Sequence, residues 1–315
     1  MTLSTAVVGV GYLGKFHAQK FAALEASDLL AVADPDTDNA RAVAAPLGVD
    51  VVGDYRELLG RVDAVSIAAP TSLHHGIALD FLRHGTHVLV EKPITVTVAE
   101  ADELVTTARD NGLVLQVGHL ERFNPALRAA DRILETPRFI ESHRLAPFNP
   151  RGTDVDVVLD LMIHDIDIIL DIVRSPLARA EASGAEVLTG ATDIANARLV
   201  FDNGCVANVT ASRVSAKKER RMRFFQHDCY FAVDFQERRL TVHRKGDTEM
   251  YPGIPELVTE DQAFEASDAI RDEIESFLEC IATGSAPLVS GADGRRALAA
   301  AIDITSRFGS SAAGA

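Results

Sequence analysis

Three things are scarce in this 315-residue sequence: cysteine, long apolar runs and positive charge. Cysteine occurs only at Cys205, Cys229 and Cys280, an odd and widely spaced set with no CxxC pair, so a reduced, cytoplasmic compartment is expected. No apolar stretch approaches the ~18 residues of a membrane span. Ala6, Val7 and Val8 begin an apolar run almost at once, with no charged segment before it and glycines after it, so no signal peptide is expected. Basic residues number 31 against 46 acidic, and the net charge of −15 argues against nucleic acid and anionic membranes as partners. An anionic substrate would therefore need a local basic patch. What the chain does have is bulk: 47% of its residues are hydrophobic, and its length exceeds one domain of ~100–150 residues, so two domains are expected.

Ser4 to Val10 reads as a short buried strand and Leu13 to Leu24 as a helix. Between them lies Gly9-Val10-Gly11-Tyr12-Leu13-Gly14, the spacing of a dinucleotide fingerprint. Gly9 permits the tight turn, Gly11 lets the backbone approach a pyrophosphate near Tyr12 and Leu13, and Gly14 allows close helix–strand packing. A second strand, Leu29 to Ala33, ends in Asp34, 20 residues beyond Gly14, where a carboxylate accepts both ribose hydroxyls. Asp34 and Asp36 would repel a 2′-phosphate, so NAD is expected over NADP.

The alternation continues with helices at Thr37–Leu47, Tyr55–Leu59, Ile77–His84 and Glu100–Asn111, and strands at Val62–Ala69, Val88–Val90 and Leu113–Gly118. Such repetition predicts a doubly wound parallel sheet over residues 1–120. The turn at Ala69, Pro70 and Thr71 is expected beside the cofactor. His74 and His75 fit cofactor-lining or helix-surface roles, because no second cluster at ligand spacing accompanies them, and no metal is expected. The run His87-Val88-Leu89-Val90 ends in Glu91-Lys92-Pro93. Two ionisable groups thus sit where a parallel strand leaves its sheet, and proline makes the lysine's turn stiff. The X-Pro bond is a candidate for cis.

Past Gly118 the pattern changes. His119-Leu120-Glu121-Arg122-Phe123-Asn124-Pro125 is a polar junction, with Pro125 opening a helix to about Leu134. Phe139–Leu145, Glu186–Leu188, Ala195–Phe201, Val206–Val214, Arg221–Gln226, Tyr230–Phe235 and Leu240–Arg244 read as β-segments. Residues 121–315 are thus expected to form an α+β domain with a large, mostly antiparallel open sheet, one face of it covered by helices or by another subunit in a homodimer or homotetramer. Helices return at Ala269–Ala282 and Gly291–Phe308, the last a candidate to pack back on the first domain, and Gly309–Ala315 reads as a frayed tail.

One helix interrupts those strands. Asp160 and His164 are four residues apart, on one α-helical face, and a carboxylate beside an imidazole suits a general base near neutral pH. A plain amphipathic helix with a polar histidine is the competing reading. Asp165, Asp167 and Asp171 read equally well as solvated charge.

Together the GxGxxG turn, Asp34, Glu91-Lys92-Pro93 and the DxxxH helix resemble the glucose-fructose oxidoreductase and inositol dehydrogenase (Gfo/Idh/MocA) family along nearly the whole chain. The resemblance implies an NAD-dependent oxidoreductase in which Lys92, Asp160 and His164 surround the sugar carbon that exchanges hydride. One departure is the stretch Asp154-Val155-Asp156-Val157, where many members carry paired glycines. A narrower resemblance, to the group of UDP-N-acetylglucosamine 3-dehydrogenases, is carried by Gly118–Pro125 and Val157–Asp167. It implies oxidation of the sugar's 3-hydroxyl to a ketone, which a partner aminotransferase converts to an amine for lipid A or another surface glycan.

By that reading the pyrophosphate lies at Gly11 to Leu13 and the nicotinamide near Lys92 and His119, with Glu91 and Arg122 also at the cofactor. His119, Arg122, Asn124 and Arg151 join the catalytic three at the substrate. Cations for a diphosphate are sought among Arg122, Arg144, Arg151 and the cluster Arg213, Lys217, Lys218, Arg220 and Arg221, a run that reads also as a solvated loop or subunit contact. His164 is the expected base and protonated Lys92 the oxyanion partner, or the reverse. Another sugar or cyclitol dehydrogenase, and a non-catalytic NAD-binding regulator, remain the alternatives.

Overall fold

Apolar runs of four to seven residues, each followed by a helix, build the first half of the chain. The computed structural model describes residues 2–149 and 155–308. The chain divides into two compact units, one reaching to Leu120 and taking in Asp268–Leu298, the other comprising Glu121–Ser267 and the residues after Leu298.

In the first unit β1 (Leu3–Val8), α1 (Gly14–Ala23), β2 (Ser27–Ala33), α2 (Thr37–Ala44), β3 (Asp50–Val52), β4 (Ala64–Ile67), α3 (Thr71–Arg83), β5 (His87–Glu91), α4 (Val98–Asp110) and β6 (Leu115–Gly118) follow in order. The sheet is parallel throughout, ordered β3-β2-β1-β4-β5-β6. Its strand order reverses at β1, so the ends of β1 and β4 flank the crevice where such sheets take ligands. Strands such as Ala64–Ile67 are buried at every position, as parallel strands covered on both faces must be. Two details differ from the sequence reading. The three-residue strand β3 is too short to leave a period, and α3 starts at Thr71, with Pro70 as its N-cap, six residues before Ile77.

The second unit holds α5 (Pro125–Asp131), β7 (Phe139–Leu145), α6 (Ile163–Val173), β8 (Leu177–Ala185), β9 (Ile194–Phe201), β10 (Val206–Ser212), β11 (Glu219–Gln226), β12 (Cys229–Asp234), β13 (Arg239–Tyr251) and β14 (Ile254–Ala263). They form one sheet, β14-β13-β12-β11-β7-β10-β9-β8, in which only β7 and β10 run parallel. Alternation sets its inner face: Ala195, Ala197, Leu199 and Phe201 of β9 and Ala207, Val209 and Ala211 of β10 are buried. The apolar stripe of α6, with Ile163, Ile166 and Ile169 fully buried, packs on β7 and β10. Each such isoleucine contributes about 1.5–3 kcal/mol relative to an exposed one.

The expected segment Glu186–Leu188 is not a strand. The edge strand is Leu177–Ala185, whose small and polar residues are mostly exposed, and residues 187–190 form a bend. α7 (Ala269–Thr283) and α8 (Gly291–Ser306) close the described chain, and Gly309–Ala315 lies outside the described residues. α7 belongs to the first unit, where Ile274, Phe277 and Leu278 share a core with Phe21 and Ala18 of α1. All three cysteines are free thiols, and burial pushes Cys205 up to about 11.

Candidate functional site

The glycine turn is fixed by space as much as by flexibility. Gly9 sits at φ +81°, and a Cβ there would lie 2.7 Å from the Ala69 amide nitrogen. At Gly14 a Cβ would lie 1.8 Å from the Gly9 carbonyl oxygen, so α1 can begin against the turn only without a side chain. Nothing lies within 4 Å of the corresponding point at Gly11, and Tyr12 is exposed, which leaves room above the turn. The helix N-terminus at Leu13 has no side-chain cap and no acid in its first turn, so its N–H groups suit an anion such as a pyrophosphate.

Asp34 is locked to that turn. Its Oδ2 accepts the Val10 amide at 2.9 Å and its Oδ1 the Asp36 amide at 2.9 Å. A carboxylate has about four lone-pair sites, so acceptors remain for ribose hydroxyls. Asn39, donating to the Val10 carbonyl at 3.0 Å, and Asp36, capping α2 through the Asn39 amide, brace the same corner. These residues fit NAD.

At the end of β5 the backbone turns through a cis Lys92–Pro93 bond, in agreement with the sequence expectation. Lys92 is half-buried. Glu91 is turned inward: its Oε2 accepts the Lys92 amide at 3.3 Å and its Oε1 lies 3.2 Å from His17 Nε2. Gly118, at the end of β6, makes room for it, since a Cβ there would come 2.9 Å from the carboxylate. His74 is buried within α3, its Nδ1 2.9 Å from the Pro93 carbonyl and its Nε2 2.8 Å from the Ala69 carbonyl. It ties the Ala69–Thr71 turn to the Lys92–Pro93 turn. His119 is also buried, its amide donating to the Val117 carbonyl at 2.8 Å.

In the second unit Asp160 and His164 are both half-buried. The turn that carries Asp160 is not the expected α-helix: residues Val158–Met162 wind as a π-helix that passes at Ile163 into α6, which carries His164. π turns inside helices are frequent at functional sites. Asp156 caps the segment, accepting the Val158 and Leu159 amides at 2.8 and 3.2 Å.

The neighbouring acids are not solvated charge. Asp165 is 2% exposed and takes both Nε and Nη2 of Arg144, the shortest contact 2.7 Å. Arg144 also donates to Glu121 at 2.7 Å, and Arg220 reaches the same oxygen at 3.1 Å. Burial alone would raise the Glu121 carboxyl, but these guanidinium charges outweigh it and hold it below the usual carboxylate range. Arg122 is 5% exposed and pairs with Asp167 at 3.4 Å and Asp171 at 2.9 Å. Arg213 is held by Asp193 at 2.9 Å and by the Val155 carbonyl at 2.7 Å. Asp193 itself accepts the amides of Val187, Leu188 and Thr189, so despite its burial it stays far below the ordinary range.

The basic candidates therefore change. Arg122, Arg144 and Arg213, sought in the sequence at a diphosphate and, for Arg122, at cofactor and substrate, are buried and pair with carboxylates. Lys217 pairs with Glu219 at 2.6 Å on the surface, and Lys218 and Arg221 are exposed. Asn124 caps α5 by accepting the Ala126 amide and donates to the Phe235 carbonyl at 3.0 Å. Arg151 lies outside the described residues. His17 and Glu273 escape the sequence reading; an imidazole on the buried face of α1 was the one available signal.

Residues 3–119 match the family model described as an oxidoreductase family with an NAD-binding Rossmann fold, GFO_IDH_MocA, and residues 136–231 match the GFO/IDH/MocA C-terminal domain. Over 303 residues, 96% of either chain, the sequence is 42% identical to UDP-N-acetylglucosamine 3-dehydrogenase of Acidithiobacillus ferrooxidans. The solved structure of that organism's UDP-N-acetylglucosamine 3-dehydrogenase superposes with a TM-score of 0.92, at 41% identity and 98% coverage of both chains. The scyllo-inositol 2-dehydrogenase (NAD(+)) of Bacillus subtilis is 26% identical over 96% of this chain and 93% of its own.

Proposed function

The chain belongs to the Gfo/Idh/MocA family of NAD-binding oxidoreductases, and from that premise we propose that it oxidises the 3-hydroxyl of UDP-N-acetylglucosamine to a ketone. The observation that carries the substrate is the end-to-end similarity to the Acidithiobacillus enzyme, which spans both units of the fold and not the dinucleotide half alone.

NAD supplies the hydride acceptor when bound. Gly9, Gly11, Gly14 and the uncapped start of α1 hold its pyrophosphate, and Asp34 its ribose. His164, oriented by Asp160, takes the proton of the reacting hydroxyl. Protonated Lys92 donates a charge-assisted hydrogen bond to the same oxygen as negative charge develops on it. Its turn cannot swing freely, because Glu91 holds its amide from one side and His74 holds the Pro93 carbonyl from the other. Among the described residues of that basic set, the exposed Lys218 and Arg221 are the cations assigned to a diphosphate. The 3-keto product is a substrate for an aminotransferase partner. Among the described residues no helix is long and apolar enough to cross a membrane.

The test is incubation with NAD and a panel of UDP-sugars and free sugars, with any ketone trapped by an aminotransferase and glutamate. UDP-N-acetylglucosamine is expected to turn over. A ketone from a free sugar or cyclitol and from no UDP-sugar would assign the protein to a different substrate in the same family. Lys92→Ala and His164→Ala should each lower kcat by about 10²–10⁴-fold while NAD binding persists. Near wild-type turnover in both would remove the assignment of the two residues.

A further inference from the structure

Beneath the Glu91–Lys92–Pro93 turn lies a buried cluster that the reaction above does not use. His17 of α1, Glu91 of β5 and Glu273 of α7 each bring one nitrogen or oxygen to within 4.8 Å of the others. His17 and Glu273 are wholly buried and Glu91 is 8% exposed. Ser66 Oγ, 2.8 Å from His17 Nδ1, turns the other ring nitrogen towards Glu91. Gln116 of β6 anchors the far side, donating to the Glu273 backbone carbonyl at 3.0 Å. Both carboxyl oxygens of Glu273 lack a hydrogen-bond partner among the described residues, and so does Glu91 Oε1.

Two carboxylates buried within 4.8 Å of each other disfavour ionising together. Burial first, and then the charge of Glu91, push the Glu273 carboxyl well above its ordinary range. A proton on Glu273 gives that carboxyl a donor towards Glu91, which His17 Nε2 approaches to 3.2 Å. A divalent cation would bridge the same atoms, which makes the metal content of the purified enzyme part of the test.

We propose that Glu273 is a positioning residue for Lys92: it stays protonated and donates a hydrogen bond to Glu91, whose second oxygen holds the Lys92 amide. The chain of contacts is short. Glu273 brings a carboxyl oxygen to within 4.8 Å of the Glu91 carboxylate, and Glu91 Oε2 accepts the Lys92 N–H at 3.3 Å, with Gly118 giving that carboxylate its space. This rests on the assignment of Lys92 to the reacting oxygen.

The decisive comparison is Glu273→Gln against Glu273→Leu in the full-length enzyme. The amide is neutral and keeps a donor, so Glu273→Gln should retain kcat. Glu273→Leu should lower kcat by about 10–100-fold with the KM for NAD changed by less than about twofold, because only the aim of Lys92 is lost. Independently of activity, the infrared difference spectrum of wild type minus Glu273→Gln should contain the carbonyl band of a protonated carboxylic acid. Absence of that band, or a Glu273→Gln variant as impaired as Glu273→Leu, overturns the proposal. So does one equivalent of metal in the purified enzyme, measured by elemental analysis and lost in Glu273→Gln. If Glu273→Leu does not fold, the band and the Glu273→Gln rate decide. Wild-type turnover by Lys92→Ala would instead sink the assignment of Lys92 and leave the infrared result standing.

Discussion

The two units bury carboxylates in opposite ways. In the second, Asp165, Glu121, Asp167 and Asp193 each meet an arginine, so the interior holds carboxylate–guanidinium pairs. In the first, Glu273 and Glu91 meet each other and a histidine, and neutrality comes from a proton. Arginine has a charge that no ordinary pH removes, so the first arrangement is a fixed support. A proton can be added or withdrawn. The chain thus places its exchangeable charge under the lysine turn and its permanent charge around α6.

The same chemical change should therefore have unlike effects in the two places. Asp165→Asn leaves Arg144 in the interior short of its partner and should cost about 3–5 kcal/mol of stability. Glu273→Gln replaces a group that is neutral in the fold but ionises on unfolding, so at neutral pH it should be at least as stable as wild type. Urea unfolding at neutral pH measures both, and equal losses would erase the distinction. The paired change Arg144→Met with Asp165→Leu should recover part of the loss, because it removes this pair of charges together and leaves Glu121 with Arg220 alone.

A smaller effect distinguishes the two by pH. Glu121 and Asp193 have folded pKa values below their unfolded ones. Their contribution is complete above the ordinary carboxylate range, around 4, and is lost as acid protonates them. The Glu273 carboxyl is raised, so its contribution is complete below that range and is lost as pH rises through its folded value. In thermal melts across pH, Glu273→Gln should flatten the alkaline decline and leave the acid limb as in wild type. A variant that moves only the acid limb would contradict the sign given to Glu273.

A local effect concerns the π turn. Asp156→Ala removes the acceptor of the Val158 and Leu159 amides and should cost about 1 kcal/mol, with kcat falling if the turn that carries Asp160 loosens. Calorimetry and steady-state rates together would show whether that cap supports the site or only the helix.

The parallel unit was the more legible in sequence. Its strands are short apolar runs that need no partner to be recognised, and Asp34 declares itself by its distance from Gly14. The open sheet was harder. Leu177–Ala185 is an edge strand of alanine, glycine and polar residues, so it carries little period, and Ile254–Ala263 is largely exposed and was not anticipated. Asp165 and Asp167 looked like surface because sequence shows charge but not the arginine that meets it, 21 and 45 residues away. The π winding of Val158–Met162 is likewise silent, since its residues suit an α-helix equally well. Glu273 looked like one acid on an amphipathic helix, and its meaning depends on α7 packing beside α1.

One consequence reaches past the molecule to its inheritance. At Gly14 the Gly9 carbonyl already occupies the place of any side chain. All glycine codons share their first two bases and differ only in the third. Drift at that codon is thus confined to its third base, and lineages of this gene should record silent changes there while the amino acid stands still.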